Sequence, residues 1–275
     1  NTDQEFRLCE IKSINHLVPI SIPLTNYIAT ETSSESSANL DFIVIGIGVL
    51  GGHSGVGLSV ATISGISPQS NGLIEAKVEG RLAAALRSLG LDAVAIVGSS
   101  SNLSGIHISK SSGVFVVKFE DAIALRGKSV WETTAAVSSG ENDTILAIGS
   151  SGEIQSKFAS VVCDYGFPTQ TGGVGAILGR LGIKYIQISA QDFVTPSAIV
   201  KQISAEYLDG IKAGNQLSKV HYDPPGFGMW GDFPPMVGYH AVENFAPQLS
   251  FMTKNIDGEE YKKFLKLPED GFCPG

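Results

Sequence analysis

A glycine-rich segment at residues 172–179 is the part of this sequence best suited to contact a ligand. It reads Gly-Gly-Val-Gly-Ala-Ile-Leu-Gly and lies between two apolar, strand-like runs at residues 145–148 and 185–188. A helix that begins with glycines leaves backbone N–H groups free to face an anion, because these groups have no partner inside the helix. Close packing of the helix against a strand explains the same glycines and is the favoured interpretation. No Walker lysine follows, which excludes a P-loop.

A second glycine motif, Gly46-Ile-Gly48-Val-Leu-Gly51, formally matches the dinucleotide-binding pattern GxGxxG after a strand. Such a site also needs a helix next and an acidic residue about 20 residues further on. The sequence instead continues into a strand-like run at residues 58–63, and no acidic residue occurs between Asp41 and Glu75. We therefore reject a dinucleotide-binding fold and expect a tight glycine turn between strands.

Nucleophilic and metal-ligating residues form no pattern that supports catalysis in this chain. The histidines show no ligand spacing such as HxxxH, and His53, within a glycine loop, is the one of interest. His107 is expected on the polar face of a strand, in contact with solvent. The serines of the segment Gly149-Ser-Ser-Gly152 indicate a turn, since the residues that follow do not begin the helix that a nucleophile elbow requires. We predict no catalytic residue here.

The composition is that of a globular chain for which neither nucleic acid nor a membrane is an expected partner. Its 275 residues are 43% hydrophobic and 17% charged, with a net charge of −8 and only 19 scattered Lys and Arg. A phosphate backbone needs a basic face, and a membrane span needs an apolar run of roughly 18–20 residues. No secretory signal is recognised at the start. Three distant cysteines, Cys9, Cys163 and Cys273, form no disulfide framework, so we expect a reducing cytoplasm and a buried Cys163.

Strands and helices that alternate along the chain must position these residues. The apolar patterns predict strands at 42–47, 58–63, 93–97, 145–148 and 185–188, and a hairpin from 106–108 and 114–117. They predict helices at 74–89, 129–138 and 196–211, an extended segment at 5–28, a polar loop at 30–39 and an extended tail from 214 onward. The spacing is too irregular for repeated βαβ units, which favours a mixed α+β domain.

Several short motifs in a fixed order give the chain a resemblance to a known family. These motifs are Gly149-Ser-Ser-Gly-Glu153, Lys157-Phe-Ala159, Asp164, Gly172-Gly-Val-Gly-Ala176, Gly179 and Lys184, with Leu89-Gly-Leu-Asp-Ala93 upstream. Over residues 42–190 this order resembles the N-terminal domain of the tungsten-containing aldehyde ferredoxin oxidoreductases. A weaker resemblance continues through residues 237–245 as far as Cys273.

The resemblance implies an α+β fold of two stacked mixed β-sheets flanked by helices. Residues 1–195 would form the platform on which a tungsten (or molybdenum) bis-pterin sits. Residues 196–275 would form a helix and an extended tail leading toward a missing or truncated helical iron–sulfur domain, with Cys273 at the position of the first 4Fe–4S cysteine. The complete enzyme would oxidise aldehydes and pass electrons to ferredoxin or a partner redox subunit, as a cytoplasmic homo-oligomer.

The chain departs from the family at the residues that grip the pterin phosphates. The family has arginines where this chain has Gly57, Phe167 and Thr171. Bidentate arginine–phosphate contacts are strong and geometrically specific, so their loss should weaken cofactor binding considerably. An Asn and a Gly whose loop meets the cofactor correspond to Lys77 and Glu79, and Lys77 is the substitute cation.

The resemblance thus predicts Lys77, Thr171, Gly172 and Gly173 as cofactor-binding residues and Cys273 as a metal ligand. The alternative is a diverged, non-catalytic scaffold or interaction domain that has lost cofactor binding. Plain nucleotide binding at the glycine helix is the least favoured hypothesis. We expect the isolated chain to be inactive toward aldehydes, because it lacks the cluster and substrate domains of the family.

Overall fold

In this computed structural model, residues 20–34, 41–53, 57–170, 172–190 and 197–213 are described, together with residues 5, 7, 8 and 193. The chain divides into two compact units, Asn1–Pro196 and Ser197–Gly275. In the second unit the described residues form one helix. No helix in the described ranges combines the length and the apolar character that crossing a membrane requires.

The first unit contains all the strands found in the described ranges. The described residues form the helices α1 (Ser21–Ser34), α2 (Leu82–Leu89), α3 (Val130–Val137), α4 (Ser150–Glu153), α5 (Val174–Arg180) and α6 (Ala198–Ala213). The strands are β1 (Phe42–Gly46), β2 (Ala61–Ile66), β3 (Leu73–Val78), β4 (Ala93–Val97), β5 (Ser104–Ser111), β6 (Val114–Asp121), β7 (Asp143–Ala147), β8 (Val162–Cys163), β9 (Phe167–Pro168) and β10 (Ile183–Ser189). A 3₁₀ turn at Ile123–Leu125 connects β6 toward α3.

The first sheet has four strands in the order β3-β2-β1-β4, and every pairing in it is antiparallel. Its inner strand β1 reads Phe-Ile-Val-Ile-Gly and is buried along its whole length, as its β-branched content predicts. Helix α1 belongs to one face of this sheet, where the hydroxyls of Ser21 and Thr62 share a hydrogen bond of 2.5 Å.

The second sheet has six strands in the order β6-β5-β10-β7-β8-β9 and is mixed. Strand β10 runs parallel to β5 and antiparallel to β7. The β5–β6 hairpin turns at Ser112 and Gly113, whose φ angles of 50° and 82° are those of a tight two-residue hairpin turn. This arrangement brings residues distant in sequence onto one central strand.

The two sheets share one hydrophobic core, to which α2 and α5 also contribute. Side chains alternate between faces along a strand, so β10 sends Ile186 and Ile188 into this core. Its intervening residues, Tyr185 and Gln187, lie on the opposite face, where Tyr185 joins a smaller apolar cluster with Val130 of α3. The predicted α+β fold of two stacked sheets flanked by helices is therefore confirmed, with the first sheet antiparallel and the second mixed.

The helix predicted at residues 74–89 is wrong in its first half. Residues 73–78 form β3, in which Ile74 pairs with Gly65 of β2, and the helix begins only at Leu82. The spacing of Ile74 and Val78 fits one face of a strand as well as one face of a helix. Gly80, with a φ of 93°, interrupts the path between β3 and α2. The predicted end at Gly90 is confirmed, since its φ of 76° is left-handed.

The extended segment and polar loop predicted near the N-terminus are also wrong where they can be compared, since residues 21–34 form α1. Pro23 lies in the first helical turn, where its missing N–H costs no bond within the helix. The hydroxyl of Thr30 donates its one hydrogen in a bifurcated bond to the carbonyls of Asn26 and Tyr27, so it has hydrogen-bond acceptors within the helix. Residues 9–19 and 35–40 of these two predictions lie outside the described residues, as does the tail from 214 onward.

Most of the other predicted elements are confirmed with shifted ends. The hairpin, the strands at β1, β4, β7 and β10, and the helices α3 and α6 occur where the patterns place them. Helix α3 begins with a capping box, in which Ser129 and Glu132 each bond the other's backbone N–H. The strand expected at 58–63 begins later, at Ala61. The turn expected at 149–152 is instead part of a single helical turn, α4, at Ser150–Glu153.

Candidate functional site

The predicted glycine pair, Gly172 and Gly173, lies buried at the start of α5. Both residues have left-handed φ angles, 93° and 73°, which favour glycine. A Cβ on Gly172 would lie 2.3 Å from the Ile74 side chain, and one on Gly173 would lie 2.3 Å from the carbonyl oxygen of Lys157. Protein atoms therefore occupy the space that these two glycines leave open.

Backbone groups around the start of α5 bond to the protein itself. The N–H of Gly175 donates to the carbonyl of Ala159 over 2.9 Å, and the N–H of Ala176 donates to the carbonyl of Gly173 over 2.9 Å. The Ser67 hydroxyl donates to the carbonyl of Gly172. These contacts account for the glycines through packing, the interpretation that the sequence favoured. The role of Gly172 and Gly173 in holding a cofactor stays a prediction.

Two further motif glycines let α4 and α5 approach each other. A Cβ on Gly179 would lie 1.9 Å from the carbonyl oxygen of Gly152. A Cβ on Gly152 would in turn lie 3.1 Å from the carbonyl oxygen of Gly175. A larger residue at Gly179 would have to move the Gly152 backbone, and one at Gly152 would clash with the Ile148 side chain, 2.7 Å from its Cβ. These glycines therefore set how closely the two helices approach.

A buried ion pair joins two other motif residues, Glu153 at the end of α4 and Lys184 on β10. The Lys184 side chain is 0% exposed, and its Nζ donates to Glu153 Oε1 over 2.5 Å and to the Lys128 carbonyl over 2.8 Å. The Glu153 carboxylate also accepts the N–H of Gly127. The pair closes a separation of 31 residues in sequence and anchors the glycine-packed helices to the second sheet.

The motif residue Asp164 also links separate segments of the domain. Its Oδ1 accepts the backbone N–H of Ile145, and its Oδ2 lies 3.5 Å from Arg81 Nε. Arg81, just before α2, also donates to the carbonyls of Glu141 and Asp143. Burial, together with the neighbouring Asp164, raises the pKa of the Cys163 thiol, so Cys163 is a neutral, buried residue as predicted.

The positions that carry arginines in the family offer no guanidinium here. Gly57 has a φ of 74°, a conformation in which an arginine would be strained. Phe167 is half-buried, and its ring lies against Gly80, where a Cβ would come within 2.8 Å of it. Thr171 lies outside the described residues, and so does Cys273.

Lys77 is exposed on β3, on the face opposite to the one that meets the glycine pair. It pairs across the sheet with Thr62, on the α1 side, whereas Ile74, which contacts Gly172, shares its face with the core residues of β3. The structure therefore does not bring Lys77 together with Gly172 and Gly173. Glu79, two residues after Lys77, is exposed as well.

The glycine motif at residues 46–51 is a turn held by an arginine, as its lack of a following helix predicted. Arg87 of α2 donates to the carbonyls of Gly48, Val49 and Gly51. The preceding strand β1 is antiparallel to both of its neighbours, which a nucleotide-binding βαβ unit does not allow. The rejection of a dinucleotide site is confirmed, and His53, beside this turn, is exposed.

These observations test whether the residues present fit a bis-pterin and its metal. The two described arginine-equivalent positions cannot grip a phosphate, and the glycine pair is filled by protein. Among the described residues, no group of three or more His, Cys, Asp or Glu could hold a metal ion. The described residues therefore do not fit a phosphate clamp of the kind that the resemblance implies.

The stacked sheets and the glycine-packed helices define a two-sheet α+β domain rather than a βαβ dinucleotide-binding fold. The family model of the aldehyde ferredoxin oxidoreductase N-terminal domain matches residues 24–190, more than half of the chain. The chain belongs to this family, which confirms the resemblance carried by the motifs.

Two curated relatives are similar to part of this chain. It is 34% identical over 125 residues to the tungsten-containing aldehyde ferredoxin oxidoreductase of Thermococcus kodakarensis, a match covering 44% of this chain and 20% of the relative. It is 30% identical over 131 residues to that of Pyrococcus furiosus, covering 46% and 21%. The matched region thus spans about a fifth of the length of these curated relatives.

One solved structure is also similar to part of this chain. The active-site complex BamBC of benzoyl coenzyme A reductase, in complex with 1,5-dienoyl-CoA, aligns with a TM-score of 0.55 and 26% identity. The alignment covers 62% of this chain and 26% of that one.

Sequence reasoning missed the buried ion pair of Lys184 with Glu153 and the partial burial of His107. Lys184 lies between Ile183 and Tyr185 in an apolar strand, and a lysine in such a run must find an anion when it is buried. That signal could have pointed to Glu153. His107, expected to be solvated, is half-buried, and its Nε2 lies 2.8 Å from the Ser189 hydroxyl.

Proposed function

We propose that this chain is the N-terminal platform domain of an oxidoreductase of the aldehyde ferredoxin oxidoreductase type. The observation that carries the proposal is the family match over residues 24–190, whose ordered motifs the structure uses to assemble the platform. Glu153, Lys184 and Asp164 form its internal bonds, and Gly152 and Gly179 set its helix spacing. In the complete enzyme a tungsten (or molybdenum) bis-pterin would supply the aldehyde-oxidation chemistry, and a 4Fe–4S cluster would be the group that receives the electrons.

The whole protein would work with ferredoxin or a partner redox subunit, as a cytoplasmic homo-oligomer. These partners follow from the family and from the multi-subunit nature of the similar BamBC complex. Cys273 would be the first ligand of the cluster. In this proposal the phosphate grip comes from groups other than the residues at Gly57 and Phe167, and Lys77 is the substitute cation.

A second candidate is a non-catalytic scaffold or interaction domain that has lost cofactor binding. The specific observation in its favour is that glycine, phenylalanine and threonine replace the family's arginines at residues 57, 167 and 171. Gly57 is held in a left-handed conformation and Phe167 packs on Gly80, so both replacements are part of the local structure.

Metal and pterin analysis separates the two candidates. The chain is produced anaerobically in cells supplied with tungstate and molybdate, and the purified protein is assayed for both metals and for pterin fluorescence. Stoichiometric tungsten or molybdenum with pterin supports the platform of an enzyme. A folded chain free of metal and pterin supports the scaffold and contradicts the first proposal.

A lysine variant tests the substitute cation. If Lys77 contacts a pterin phosphate, Lys77→Gln lowers the bound pterin about tenfold, because a charge-assisted hydrogen bond is lost. Lys118→Gln removes the same charge from an exposed position on β6 and should leave the pterin content unchanged. Equal pterin content in both variants would remove Lys77 from the binding residues.

A further inference from the structure

The outer face of the second sheet contains an open cavity of about 350 Å³. It lies on the face of β10 opposite the shared core. The cavity is lined by His107, Glu120, Asp121, Leu125, Ala136, Val137, Ser139, Tyr185 and Gln187. Tyr185 and Gln187 are its buried members, and Gln187 is paired in register with His107 on the neighbouring strand β5. None of these residues is among the predicted cofactor-binding residues.

A buried carboxylate, Asp143, organises one side of this cavity. Its Oδ2 accepts hydrogen bonds from the N–H and hydroxyl of Ser139 and from Gln187 Nε2, and its Oδ1 accepts the Ser189 hydroxyl over 2.5 Å. Burial by itself raises the pKa of Asp143. The hydrogen bonds from Ser189, Ser139 and Gln187 outweigh burial and hold the pKa below its ordinary value.

The Asp143 bonds determine which atoms the cavity presents to a ligand. Ser189 has a single hydroxyl hydrogen and gives it to Asp143, so at 2.8 Å from His107 it accepts a hydrogen from Nε2. In neutral His107 the other ring nitrogen, Nδ1, is then an acceptor. Both hydrogen bonds of Gln187 leave from Nε2, which leaves its amide oxygen as an acceptor too.

The acidic side of the cavity adds further acceptors. Glu120 accepts the Tyr185 hydroxyl through Oε2, and Asp121 accepts the N–H of Ile123 through Oδ1. Each carboxylate keeps a second oxygen for a ligand. Burial, together with Glu120, raises the pKa of Tyr185, so this hydroxyl stays protonated and donates to the carboxylate. The described lining contains two carboxylates and no Lys or Arg.

We propose that this cavity binds a small organic cation with a primary ammonium group and a compact apolar body. An ammonium has three donors and no acceptor, which matches a lining of carboxylate, amide and imidazole acceptors. The ammonium bonds Glu120, Asp121 and Gln187, and the apolar body packs on Leu125 and Val137. An anion would meet the carboxylates of Glu120 and Asp121 in the cavity lining. The proposal is independent of the cofactor, since it uses other residues on another face.

The test is a titration of the 275-residue chain with cyclohexylammonium, followed by ¹H–¹⁵N NMR. Cyclohexanol and cyclohexanecarboxylate carry the same ring with a neutral and an anionic group, and they are the matched control ligands. We expect saturable shifts of the Ser139 and Gln187 signals with the ammonium, with a dissociation constant of about 1–10 mM. The alcohol should bind about tenfold more weakly, and the carboxylate should not shift these signals.

Three variants locate the charge that the ammonium requires. Glu120→Gln keeps an acceptor for Tyr185 but loses the charge, and it should weaken cyclohexylammonium binding about tenfold. Asp121→Asn, at an exposed position, makes the same test if Glu120→Gln does not fold. Glu206→Gln removes an equal charge from α6, outside the cavity lining, and should bind as the parent does. Equal shifts with ammonium and carboxylate, absence of saturable shifts, or full affinity in the charge-deleted variants would overturn the proposal.

Discussion

Replacing Lys184 by Met removes the only ion-pair partner that the described residues give to the Glu153 carboxylate. The Lys184 side chain is 0% exposed and that of Glu153 is 9% exposed, so water cannot take the place of the ammonium. Breaking a buried pair by removing one partner typically costs about 3–5 kcal/mol of the free energy of unfolding. We expect Lys184→Met to fall in this range. The Met side chain fills most of the volume, so the loss reflects the stranded carboxylate rather than a cavity.

The double variant Lys184→Met/Glu153→Leu tells the charge effect from the packing effect. It removes both charges, and the apolar pair should recover about 1–4 kcal/mol relative to Lys184→Met. Urea denaturation followed by circular dichroism measures the free energies of unfolding of the parent, of Lys184→Met and of the double variant. Adding Glu153→Leu completes a double-mutant cycle, which gives the coupling energy between the two side chains.

An exposed lysine provides the matched control. Lys128 lies 3.6 Å from Glu132, with 50% of its side chain exposed, so Lys128→Met should change the free energy of unfolding by less than about 1 kcal/mol. The Lys128 carbonyl, which accepts from Lys184, is unaffected by that substitution. A cost for Lys184→Met no larger than the cost for Lys128→Met would refute the assignment of Glu153 and Lys184 as the internal anchor of α4.

Two further predictions concern packing and pH. Gly179→Ala places a Cβ 1.9 Å from the Gly152 carbonyl oxygen and should lower the free energy of unfolding by more than about 2 kcal/mol. Gly210→Ala in α6 adds a Cβ that meets nothing within 4 Å, and it should raise the free energy of unfolding by about 0.5–1 kcal/mol. Thermal unfolding compares them, and similar shifts in both would contradict the close approach of α4 and α5. Asp143→Asn should cost about 2 kcal/mol at neutral pH, because a charged acceptor of several hydrogen bonds is lost. The folded pKa of Asp143 lies below its ordinary 3.8, so its contribution is present above that pH and fades as the pH falls through the folded pKa. Urea unfolding across this range should show a smaller acid loss in the variant than in the parent.

The fold could be predicted wherever one physical signal dominated. β1 and β10 are unbroken apolar runs, and Gly90 ends α2 because it can adopt a left-handed conformation. The region 74–82 could not be assigned in this way. Ile74 and Val78 are four residues apart, a spacing that satisfies the alternation of a strand and the turn of a helix alike. Pairing with β2, a contact between distant segments, decides for the strand.

The candidate site was only partly predictable for a related reason. The motif glycines could be recognised, but what fills the space beside them depends on Ile74 and Lys157, which come from other elements. The strand assignment also separates Lys77 from the glycine pair, since the two lie against opposite faces of β3. A helix over 74–89 would have hidden this separation. Ion pairs such as Glu153–Lys184 link positions whose proximity only the folded chain reveals.

The place of β10 at the centre of the second sheet has a consequence for synthesis on the ribosome. Strand β5 pairs with β6 as soon as both have emerged, but its other edge waits for β10, which is translated much later. Until then the growing chain presents an unpaired strand edge, the kind of surface that promotes aggregation. A ribosomal stall or premature release between β7 and β10 should therefore yield a product that depends on chaperones, whereas a chain released after Ser189 can complete its sheet.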